Sequence, residues 1–109
     1  MAYDEKLADR VRAAVGGTQS VTERKMFGGV AFMVRGNMCC GVIDDRLMVR
    51  VGPAAYDKAL TLANAEPMDF TGRAMRGFVY VPPAGTRTTR QLGAWVQRGL
   101  DFAQTLPAK

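Results

Sequence analysis

Between Thr22 and Val51 the sequence repeats with a period of eight. Six-residue runs, Thr22–Phe27, Val30–Arg35, Met38–Ile43 and Arg46–Val51, are separated by the pairs Gly28-Gly29, Gly36-Asn37 and Asp44-Asp45. A two-residue loop can join only antiparallel neighbours, so this pattern predicts a four-strand meander. The glycine-containing pairs suit the positive φ of primed hairpin turns, and Asp-Asp is a weaker candidate for the same geometry. Loops this short also set register, pairing Phe27 with Val30, Arg35 with Met38 and Ile43 with Arg46.

Register divides the side chains between two faces. One is expected to carry Met26, Ala31, Met33, Met38, Cys40, Val42, Leu47, Val49 and Val51, nearly all apolar, and to be covered by helices. The other is expected to carry Lys25, Phe27, Val30, Phe32, Val34, Cys39, Gly41, Ile43, Arg46, Met48 and Arg50. A bulge at Gly28-Gly29 would exchange the faces of the first strand.

Helices flank the meander. Tyr3, Leu7, Val11 and Val15 form an i, i+4 stripe, with Asp4 and Glu5 suited to its N-terminus and Gly16-Gly17 ending it. Pro53 is placed for the first turn of a short helix through Ala54–Leu62. Pro67–Gly72 reads as a loop or short strand, and Phe78–Val81, stopped by Pro82-Pro83, as a strand. Thr88 or Thr89 can cap a last helix whose apolar positions Leu92, Trp95, Val96, Gly99, Ala103 and Leu106 recur at helical spacing.

A chain of 109 residues predicts one domain, residues 1–109, with a single core. The sequence holds no His and one serine, Ser20, which removes Ser-His and Cys-His nucleophile pairs and imidazole metal ligands. Cys39 and Cys40 are adjacent on a strand and point to opposite faces, so neither a zinc site nor an unstrained disulfide is expected, and reduced thiols fit the cytoplasm. No apolar run is long enough to cross a membrane and the N-terminus lacks a signal peptide's apolar core. No catalytic residue, cofactor, metal or small-molecule substrate is expected.

Three sets of residues are candidates for binding or reactivity. The 15 Lys and Arg exceed the 10 Asp and Glu, and between Asp69 and Asp101 there are five arginines and no acid. Arg73, Arg76, Arg87 and Arg90 are therefore candidate anion-binding residues, of which Arg73 and Arg76 sit in a glycine-flanked, aromatic-rich loop. Cys39 is the candidate reactive thiol, since the register sets it opposite Arg50, whose charge would stabilise a thiolate. Phe27, Val30, Phe32, Val34, Arg46, Met48 and Arg50 form a candidate partner-binding face, because three helices can hardly cover both sides of the sheet.

Five blocks then carry a resemblance: Lys25-Met26-Phe27-Gly28-Gly29, Met38-Cys39-Cys40-Gly41-Val42, Leu47–Gly52, Pro67–Val81, and a helix with Leu92 and Trp95. Together they resemble the N-terminal domain of the TfoX/Sxy family over almost the whole chain. The resemblance implies a two-layer α+β fold of the secretion-chaperone-like type, an antiparallel sheet with flanking helices. It also implies kinship with regulators of natural competence in bacteria, thought to act with the cyclic-AMP receptor protein at promoters, and it supplies no catalytic residues. The chain is expected to be a stand-alone copy, lacking their C-terminal helical domain. The expected function is a non-enzymatic, cytoplasmic binding or regulatory module acting through protein contacts, with a protein partner or a second copy in a homodimer. A nucleic-acid-binding accessory using the arginine-rich C-terminal half ranks second, and a thiol enzyme or redox sensor at Cys39 third.

Overall fold

The computed structural model describes residues 3–16, 21–26, 28–69 and 74–108; Phe27 and Arg73 lie outside them. The chain runs through α1 (Glu5–Val15), β1 (Val21–Met26), β2 (Gly29–Val34), β3 (Asn37–Ile43), β4 (Arg46–Arg50), α2 (Tyr56–Leu60), β5 (Glu66–Asp69), β6 (Ala74–Val81) and α3 (Thr89–Gln104). The strands form one open antiparallel sheet in the order β1-β2-β3-β4-β6-β5, so the meander is present and β6 and β5 extend it.

Local chemistry accounts for the helix starts. The Asp4 carboxylate accepts from the amides of Lys6 and Leu7 at 2.9 and 3.1 Å, and Thr88 and Gln91 form a reciprocal capping box at the head of α3. Leu7, Val11 and Val15 of α1 and Leu92, Val96 and Leu100 of α3 are buried against each other and the sheet. Tyr56 and Ala59 of α2 join the same cluster at its β6 side.

Two hairpins turn one residue earlier than the dipeptides predict. Met26 pairs with Gly29, and Val34 with Asn37, so the second loop is Arg35-Gly36, with φ of 50° and 84° as a type I′ turn requires. Tertiary contacts explain the shift. A Cβ on Gly29 would fall 2.2 Å from the Val42 carbonyl oxygen, so this glycine serves a close strand approach. Asn37 is buried at the start of β3, where its side-chain amide donates to the Pro107 carbonyl at 2.8 Å. The third turn, Asp44-Asp45, stands as expected, with Ile43 opposite Arg46.

The shift inverts the expected faces of β2. Val30 pairs with Val42 and Phe32 with Cys40, which brings Val30, Phe32 and Val34 under the helices together with Leu47 and Val49. Ala31 and Met33 take the opposite face. A β-bulge between Phe32 and Met33 leaves Cys39 as an extra residue on β3. It moves Met38 to the helix-free side and turns both cysteines into the core, against the expectation that they part; their sulfurs are 3.7 Å from each other.

Candidate functional site

All three helices pack on one face of the sheet, as their shared cluster with Val42, Val49, Val79 and Val81 requires. The helix-free face is built by strand alternation. Arg46, Met48 and Arg50 of β4 lie there as expected; β6 adds Phe78 and Tyr80, which pair with Arg50 and Met48. Ile43, Met48, Met68 and Tyr80 form a small cluster of their own, with Met38 and Phe78 packed half-buried against it. The sheet thus has two apolar faces, and among the described residues only one of them is roofed by helices.

Arginines frame this second face. The Arg46 guanidinium lies 3.9 Å from the Tyr80 ring centroid and 3.9 Å from an Asp44 carboxylate oxygen. Arg50 reaches between Phe78, at 5.6 Å, and Phe102 of α3, at 5.2 Å. Stacking of this kind holds the charge over the apolar surface. Arg24, directly across from Ala31 on the edge strand β1, adds a third, exposed cation, and Glu66, across from Tyr80, is the acid on the opposite edge. An apolar patch bordered mainly by cations has the chemistry of a surface for an apolar partner with negative charge at its margin.

The expected contact set divides accordingly. Arg46, Met48 and Arg50 sit on the helix-free face, whereas Val30, Phe32 and Val34 are core residues and Phe32 is 0% exposed. The residues that replace them, Met33 and Met38, lie outside the expected set because the one-residue slip exchanges the faces of β2 and the bulge at Cys39 carries Met38 across. Phe78 and Tyr80 are legible as alternating residues of a strand, but only the pairing of β4 with β6 assigns their side.

Of the anion set, Arg73 lies outside the described residues, and the other three, Arg76, Arg87 and Arg90, are not gathered into one cluster. Arg76 is paired with Asp57 at 3.2 Å and lies 5.4 Å from the Tyr56 ring centroid. Arg87 and Arg90 are exposed around the start of α3, beyond the far end of β6, and the strand between Arg76 and Val81 alone spans on the order of 15 Å.

Cys39 does not have the surroundings of a reactive thiol. It is 0% exposed, its Sγ donates to the Phe32 carbonyl at 3.3 Å, and Arg50 is engaged with the two phenylalanine rings instead. The hydrogen bond with Cys40 lowers the Cys39 thiol against the opposing effect of burial, while the same bond and burial push Cys40 well above its usual value. The two sulfurs touch each other inside the core, and both cysteines are fully buried. Among the described residues no group of three or more His, Cys, Asp or Glu is placed to hold a metal ion, and no helix is long and apolar enough to cross a membrane.

A family model described as the TfoX N-terminal domain matches residues 13–103. No curated protein and no solved structure matches the chain.

Proposed function

From the premise that the chain belongs to the TfoX N-terminal domain family, we propose that it is a non-enzymatic binding and regulatory module that works through protein–protein contacts in the bacterial cytoplasm. The helix-free sheet face is the observation that carries this reading. It presents half-buried Met33, Met38 and Phe78 among Arg24, Arg46 and Arg50. Methionine is flexible and polarizable, which suits a surface that must fit a partner's side chains. Burial of both thiols and the lack of histidine support a role in binding over one in chemistry.

The test is affinity capture from the native host followed by mass spectrometry, with light scattering of the purified protein to detect a homodimer. The variant is Met33→Glu combined with Met38→Glu, two half-buried positions on this face. The expected result is loss of the captured protein, or of the dimer, with an unchanged circular dichroism spectrum. A folded double variant that retains every association would overturn the assignment of this face. The nucleic-acid reading is the weaker one, because Arg76 is already paired with Asp57 and the other described arginines of that set lie apart from it.

A further inference from the structure

We propose that a second surface, the groove between α1 and α3 on the outer side of the helical layer, is a docking site for an acidic amphipathic helix of a partner protein. The groove has a volume of about 390 Å³ and is lined by Arg10, Ala13, Ala14, Leu92, Gly93 and Gln97 among others. Its occupant follows from two features, a missing side chain and an uncompensated charge.

The two glycines inside α3 differ in what they do for the fold. Glycine within a helix destabilises it relative to alanine, so each position calls for a reason. Gly99 has one: a Cβ there would lie 2.2 Å from the Cys39 carbonyl oxygen, so α3 can rest on β3 only without a side chain. At Gly93 a Cβ would meet nothing within 4 Å among the described residues. The chain's own packing therefore does not use the space, which continues over the exposed Ala13 and Ala14 of the facing helix. Small side chains on two neighbouring helices leave a trough into which a third helix can sink its apolar side chains at close range.

Charge selects the kind of helix. Arg10 lines the groove and donates to the Arg87 carbonyl at 3.4 Å, which ties the segment before α3 to α1. Arg90 projects from the first turn of α3, which contains no acidic residue to offset the positive end of its dipole. Among the described residues none of Arg10, Arg87 and Arg90 has a carboxylate within ion-pair distance, whereas Arg12, on the other flank of α1, is satisfied by Asp9 and Glu23. The groove is thus basic where Arg10 lines it, and Arg87 and Arg90, which flank the lining residue Thr89 in sequence, add unpaired charge outside the lining. A second copy docked there about a two-fold axis would bring like charges together, which disfavours self-association. Duplex nucleic acid would meet the arginines but leave the apolar floor formed by Ala13, Ala14, Leu92 and Gly93 unfilled. A helix with leucines at i, i+3, i+4 and i+7 and glutamates along their margin satisfies both features.

The probe is a labelled peptide of about 18 residues with that pattern, long enough to be appreciably helical, alongside a version with lysine for every glutamate. Fluorescence anisotropy at low and physiological salt is the readout. The acidic peptide should bind saturably, at least about tenfold more tightly than the lysine version, with affinity falling as salt rises. Gly93→Met fills the trough without touching the core, so it should weaken binding at least about tenfold while the variant unfolds no earlier than the native chain. Arg10→Glu with Arg90→Glu should reverse the preference between the peptides. The proposal is overturned by no saturation up to about 1 mM, or by equal binding to Gly93→Met. It is equally overturned if a short DNA duplex binds more tightly and loses that binding in Gly93→Met, or if Gly93→Met abolishes a dimer of the chain itself.

Discussion

Gly99→Ala and Gly93→Ala add the same methyl group to the same helix and should move stability in opposite directions. At position 99 the new carbon would start 2.2 Å from the Cys39 carbonyl oxygen and 3.0 Å from its carbon. Carbon–oxygen contacts in proteins settle at about 3.3 Å or more, so α3 must lift by roughly 1 Å where it crosses β3. The obstacle is sheet backbone, which cannot swing aside as a side-chain tip can. Overpacking of this kind costs about 1–3 kcal/mol, and the rigid obstacle puts it at the upper end. The helix-propensity gain of alanine over glycine offsets about 1 kcal/mol, leaving a net loss of about 2 kcal/mol. At position 93 no described residue stands in the way, so the same gain of about 1 kcal/mol stands alone. In a domain of this size 1 kcal/mol corresponds to about 4–8 °C, so Gly99→Ala should lower Tm by roughly 8–16 °C and Gly93→Ala should raise it by roughly 4–8 °C. Trp95, the sole tryptophan, lies in α3 and is buried, so its fluorescence reports the helix while far-UV circular dichroism reports the whole chain. A Gly99→Ala protein as stable as the native chain, or the two variants shifting alike, would refute the close contact between α3 and β3.

Phe32→Glu should abolish folding, since it places an unpaired carboxylate at a fully buried position, a change worth more than about 4 kcal/mol; a folded variant with altered association would instead restore Phe32 to the helix-free face. Neither thiol of the folded protein should react with a disulfide reagent within minutes at mildly alkaline pH, and both should react in guanidinium; rapid labelling of the native chain would contradict their burial. The hydrogen bond from Arg12 holds the Glu23 carboxyl below its ordinary range, against the smaller opposing effect of burial. Because the folded value lies below the unfolded one, the pair's contribution is complete above the ordinary glutamate range and is lost as pH falls through the lowered value. Both side chains are substantially exposed, so the contribution is at most a few tenths of a kcal/mol. Urea midpoints of Glu23→Gln and the native chain should therefore differ slightly at pH 6 and converge once the pH has fallen through the lowered value, and a gap that widens in acid would refute the sign.

Much of this architecture is legible in the sequence, and what is not has identifiable causes. The amphipathic stripes of α1 and α3 are strong because burial on one side of a helix imposes its own period. Asp44-Asp45 is correctly read as a turn, and Arg46, Met48 and Arg50 therefore fall on the face expected of them. Gly28-Gly29 and Gly36-Asn37 are each one residue out of step, since a glycine in the second loop position serves as well as one in the first. The choice was made elsewhere, by the Val42 carbonyl beside Gly29 and by Pro107, which lies 70 residues from Asn37. The bulge at Cys39 has no glycine or proline to announce it. Its position suits the helix resting on it, a contact that Gly99 makes possible and that no local window contains. The helix-free face was thus half visible: β4 could be placed from its own turn, but Met33, Met38, Phe78 and Tyr80 depended on slips and pairings set at long range.

The covered face of the sheet is closed by helices from the two sides of the strand region in sequence order: α1 precedes every strand and α3 follows them all. Hairpins of two-residue loops zip locally, on a timescale of about 1–10 μs, so the meander can assemble as soon as β4 has been synthesised. Val30, Phe32, Cys40, Val42 and Leu47 then line one side of a nascent sheet whose principal cover does not yet exist. Translation at about 5–20 residues per second leaves that side wet for seconds, far longer than the hairpins need to form. During that interval the order of the strands matters for a reason unrelated to the finished fold. The outermost strand of the meander is β1, and its successive residues Glu23, Arg24 and Lys25 make the free edge a charged one, which discourages another nascent chain from adding a strand there before α3 arrives.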